Sequence, residues 1–66
     1  MPTDPLERLI YKKAKTRELA EPRFHWFGHA QDILAEMAEW KSAKYQRRLE
    51  NIYWNLRWKW QSGEWV

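Results

Sequence analysis

Residues 29–62 read HAQDILAEMAEWKSAKYQRRLENIYWNLRWKWQS, without a proline or a glycine. Set at about 100° per residue, Leu34, Ala38, Tyr45, Leu49, Ile52, Leu56 and Trp60 fall on one stripe, as on an amphipathic helix. Phe24 and Phe27 extend the stripe upstream, and its phase holds across Gly28. Glu21-Pro22 is an acceptable helix start. The stretch therefore predicts one long C-terminal helix over about 29–61, with residue 22 as the earliest start. An interior glycine costs a helix about 1 kcal/mol. That favours the later start and leaves residues 23–28 as an aromatic turn. Ser62-Gly63 is a stop signal, and residues 62–66 form a short C-terminal tail.

A shorter helix precedes this one, over about 5–20. Asp4 can cap it, Pro5 sits where its missing N–H does no harm, and Glu7 completes a capping-box spacing. Leu6, Leu9, Ile10 and Ala14 recur at helical intervals, and Pro22 ends the run. β-Branched residues are scarce and helix formers abundant, so the fold class is all-α. The two lengths do not match. At 1.5 Å per residue the first helix spans about 24 Å and the second up to about 60 Å. Folded back as a helical hairpin, the first covers the second from Phe27 to Met37. Lys12, Lys13, Lys15 and Arg17 then lie beside Asp32, Glu36 and Glu39. The seam continues through Tyr45, Leu49, Ile52 and Leu56 with nothing over it, an unusually large exposed patch for a monomer. A hairpin completed by another chain is the expectation, with antiparallel pairing of the long helix favoured. The stripe is weakest at Lys41 and Ser42, where two such helices would cross.

Composition bounds the rest. Sixty-six residues make a single small domain, and chains of this size bury only roughly 60% of their unfolded surface. With no cysteine, disulfides and thiolate metal sites are excluded and a reducing, cytoplasmic location is expected. No signal-peptide pattern opens the chain. No window reaches the ~18 apolar residues of a transmembrane span. The net charge of +3 is too weak by itself to indicate nucleic acid.

Six tryptophans are present, four of them between residues 54 and 65. Trp and Arg are enriched at interface hot spots. Trp40, Trp54 and Trp58 lie roughly opposite the main stripe, in line with Arg47. Together with Trp60 and Trp65 they form the expected partner-binding set, while Phe27, Leu34, Tyr45, Leu49, Ile52 and Leu56 form the core or oligomer seam. The partner is a larger protein or a second copy. The function expected is a non-catalytic accessory subunit, assembly factor or inhibitor. Lys41, Lys44, Arg47, Arg48, Arg57 and Lys59 complement the negative end of the helix dipole. The same cations interleaved with tryptophan also suit single-stranded nucleic acid, the alternative function. His25, His29, Asp32 and Glu36 share a side of a continuous helix and have a metal-capable spacing, though two surface histidines near a turn are the plainer explanation. No nucleophile triad or phosphate loop is present, so neither an enzyme nor a cofactor is expected.

Overall fold

A computed structural model of the chain describes residues 4–39 and 42–65. The first helix, α1, spans Pro5–Ala20, as its sequence signals indicate. The Asp4 carboxylate accepts the Leu6 N–H at 2.8 Å. This bond holds the Asp4 carboxyl below its ordinary pKa, and Arg48 works in the same direction. Glu7 does not complete a capping box. It is buried, and its carboxylate pairs with Lys59. Ile10 and Ala14 are fully buried, whereas Leu9 is 46% exposed.

The long helix is corrected to two. α2 spans Trp26–Ala38 and α3 spans Ala43–Ser62. Ser42 is the N-cap of α3 in an extended backbone conformation, and its carbonyl accepts the Gln46 N–H at 2.9 Å. The Gln46 side chain donates back to the Ala38 carbonyl at 3.2 Å. The hairpin is thereby replaced by three helices, and among the described residues there is no strand. The reason lies in burial. An unbroken helix leaves Leu49, Ile52 and Leu56 beyond the reach of α1. Turning back covers all three within one chain, where each is at most 3% exposed. Each such burial is worth about 1.5–3 kcal/mol, against about 1 kcal/mol for each helical hydrogen bond given up at the turn. The seam that called for a second chain is closed by the chain itself. A radius of gyration of 11.6 Å agrees with about 11 Å for a folded chain of this length.

The start of α2 falls between the two expected starts. The N-terminal N–H groups of Trp26 and Phe27 are capped by the Glu18 carboxylate at 2.5 Å and by His25 Nδ1 at 3.3 Å. A Gly28 inside α2 is the consequence. The helix then buries Trp26, Phe27, Ala30, Ile33 and Leu34. Trp26, which the stripe did not include, is fully buried, whereas Phe24, at the upstream end of the stripe, is 52% exposed. The Tyr11 ring meets Trp26 edge-on at 4.9 Å. Arg17 pairs with Glu36 at 3.2 Å, the one contact realised among the α1 cations and the acids set beside them; Lys15 pairs with Glu18 instead.

α3 stops at Gly63, whose φ of 77° only glycine adopts without strain. The N–H groups of Gly63 and Glu64 return to the carbonyls of Trp60 and Lys59. The turn brings Trp65 back over α1. Its carbonyl accepts the Tyr11 hydroxyl at 2.9 Å, and its ring meets Tyr11 edge-on at 4.1 Å. The expected tail is therefore tied down through Trp65.

Candidate interaction surface

α3 buries Leu49, Ile52 and Leu56 on one side. Residues on the other side follow at intervals of three and four: Arg47, Asn51, Trp54 and Trp58, all exposed. Trp54 is 53% and Trp58 62% exposed. These two indoles and Arg47 stand where the spacing put them. The Arg57 guanidinium lies over the Trp54 ring at 5.3 Å from its centroid, a cation–π arrangement that orients both side chains. Tyr53 meets the other edge of this group, with its ring 5.2 Å from Trp54.

Two expected partner residues are engaged within the chain. Trp60 stacks on Phe27 with centroids 4.8 Å apart and planes 9° from parallel, leaving it 37% exposed. Trp65 is half-buried against Tyr11, and Lys59 Nζ sits 4.6 Å above its ring. The folding-back of the chain after Gly63 accounts for this. Trp40 lies outside the described residues, as does Lys41 of the basic run.

The charge on α3 is partly neutralised by the fold. Arg48 pairs with Asp4 at 3.3 Å, and Lys59 pairs with the buried Glu7. Among the described residues Lys44, Arg47 and Arg57 make no ion pair.

Sequence reasoning did not anticipate a hollow of about 410 Å³ where α2 and α3 meet. Phe24, Gly28 and Gln31 bound it from one segment, and Tyr53, Arg57 and Trp60 from α3. Gln31 donates to the Tyr53 hydroxyl at 3.4 Å. Only the packing of α2 against α3 brings these groups together, so no spacing rule along one helix reveals it.

The histidine–carboxylate set does not converge. His25 Nδ1 accepts a helix N–H, which places its proton on Nε2. His29 is buried, with Nε2 3.1 Å from the Glu21 carbonyl, so it acts as the donor there. Asp32 and Glu36 are exposed, and Glu36 belongs to the pair with Arg17. Among the described residues no group of three or more such side chains lies close enough to hold a metal ion. Glu18 shows how the turn is held instead. Burial opposes its charge, but hydrogen bonds from Lys15 and the Trp26 N–H outweigh it and keep the carboxyl below its ordinary pKa.

No family model, no curated protein and no solved structure matches the chain. No helix among the described residues is long and apolar enough to cross a membrane.

Proposed function

We propose that the protein is a small non-catalytic interaction module, acting as an accessory subunit, assembly factor or inhibitor in the cytoplasm. It docks on a larger protein through the outer face of α3. One observation carries this: Trp54 and Trp58 stand more than half exposed beside Arg47 and Arg57, although the apolar side of the same helix is already closed within the chain. Large indoles left in water by a fold that has completed its core are the composition of an interface hot spot.

Native mass spectrometry of the protein purified from its source identifies the bound chain, whether a larger protein or a second copy. Titration of that partner then tests the face. Trp58→Ala should weaken the complex by about 2 kcal/mol or more while leaving helicity and melting unchanged. Unaltered affinity would sink the proposal.

Single-stranded nucleic acid is the second reading, favoured by the Arg57–Trp54 stack, which resembles a platform for bases. The neutralisation of Arg48 and Lys59 by Asp4 and Glu7 counts against it, because phosphate binding needs a track of free cations. If it holds, oligonucleotide affinity falls steeply with salt, and Arg47→Ala or Arg57→Ala each lowers the slope by about one.

A further inference from the structure

Gly28 lies inside α2, where glycine costs about 1 kcal/mol relative to alanine. Its backbone does not require glycine, since Gly63 is the positive-φ glycine among the described residues. Packing does not require it either. A Cβ at this position would meet Phe24 Cβ at 3.5 Å, an ordinary contact. What the missing side chain does provide is space, because Gly28 borders the hollow of about 410 Å³ between α2 and α3. That volume falls in the range of roughly 300–1,000 Å³ typical of ligand pockets.

The lining has a definite chemistry. Phe24, Tyr53 and Trp60 supply aromatic surface, and the charge is of one sign. Arg57 borders the hollow and no carboxylate does, while His25 lines it with Nδ1 engaged by the Phe27 N–H. The nearby acids Glu21 and Asp32 line a separate hollow that shares only Phe24 with this one. A flat apolar group fits the walls, and negative charge beside it meets the Arg57 guanidinium. Gln31 and Tyr53, bonded to each other at 3.4 Å, offer donors and acceptors to a main chain.

We propose that this hollow is the anchor pocket for one aromatic side chain carried by an acidic segment of the protein partner. The inference rests on the docking role of the α3 face, which Tyr53 and Arg57 connect to the hollow. A peptide is the favoured occupant over a nucleic-acid strand, because Arg57 is the guanidinium in the lining and the neighbouring Lys59 is tied to the buried Glu7, which leaves no row of cations at the hollow for successive phosphates.

The full chain is titrated with indole-3-acetate and with tryptamine, which carry the same ring and opposite charges, following backbone-amide and indole resonances by NMR. Indole-3-acetate should shift Gly28, Gln31 and the Trp60 indole. Tryptamine should bind about threefold to tenfold more weakly, the effect of reversing the sign at a partly exposed charge. Gly28→Leu should remove binding and Gly28→Ala should retain it, and Arg57→Gln should erase the preference between the probes. Equal affinities in the wild type, no shift with either probe, or undiminished binding in a folded Gly28→Leu chain would each overturn the proposal. So would displacement of the probe by oligothymidine with steep salt dependence, which would assign the hollow to a nucleotide. If Trp58→Ala weakens the partner complex but neither probe enters the hollow, the anchor alone fails. If indole-3-acetate binds as expected and Trp58→Ala leaves the complex intact, the docking face alone fails.

Discussion

Glu7 is 3% exposed, and the Lys59 ammonium that pairs with it is itself largely shielded. Breaking a buried pair by removing one partner leaves an uncompensated charge, at a cost of about 3–5 kcal/mol. Glu7→Ala should therefore destabilise the chain by about 3 kcal/mol in urea titration. Glu7→Leu combined with Lys59→Met should recover most of that, since a dry pair can often be replaced by apolar groups. A loss below about 1 kcal/mol for Glu7→Ala would mean that the pair behaves as a solvated one. Gly28 predicts the opposite direction. With space for its Cβ, Gly28→Ala should raise stability by about 1 kcal/mol, or the melting temperature by about 4–8 °C. A lower melting temperature would show strain at this position. Single residues also show what could be read from the chain alone. Trp54, Trp58 and Arg47 were legible because they lie on one helix, where spacing fixes direction. Trp60 and Trp65 were not, because their neighbours Phe27 and Tyr11 come from other helices. Trp26 was passed over for Phe24 because the stripe was phased on one helix axis, whereas α2 has its own.

Two helix starts depend on carboxylates. Asp4 caps α1, and Glu18 of α1 caps the first N–H of α2. Both have folded-state pKa values below ordinary ones. Such groups contribute stability that is fully present above the unfolded carboxylate pKa of about 4 and is lost as pH falls through the lower folded values. The melting temperature should thus lose this contribution progressively from about pH 4.5 downward. Asp4→Asn with Glu18→Gln should flatten that acid limb, and an unchanged limb would assign it to other carboxylates. The limits of α1 were legible because Asp4, Pro5 and Pro22 act locally. The end of α2 was not, because residues 29–62 contain neither glycine nor proline. A trace of it was present in the lapse of the apolar stripe at Lys41 and Ser42. That lapse fits two crossing helices from separate chains as well as a turn within one chain. Only the burial of Leu49, Ile52 and Leu56 inside the chain separates them, and that burial is tertiary.

At the scale of the whole molecule, the closed seam makes a prediction about concentration. Leu56 is fully buried, so Leu56→Ala should lower stability by about 2–5 kcal/mol, whereas Trp58→Ala should leave melting unchanged. For the wild type and for Leu56→Ala alike, the melting temperature should not depend on protein concentration. A rise with concentration would show association between copies by mass action, through the outer face of α3 if Trp58→Ala removes it and through the seam if it persists in Trp58→Ala. The same architecture sets an order on synthesis. The Glu7 carboxylate waits for Lys59, and Tyr11 waits for Trp65, contacts separated by 52 and 54 positions. A chain growing from the ribosome can form α1 and α2 and pack them together early. It cannot neutralise Glu7, or place Trp65 against α1, until those distant residues have left the exit tunnel. A nascent chain halted before residue 59 therefore carries an unmatched acid on the packed side of α1 and an uncovered apolar surface, and in that state it presents itself to chaperones and proteases.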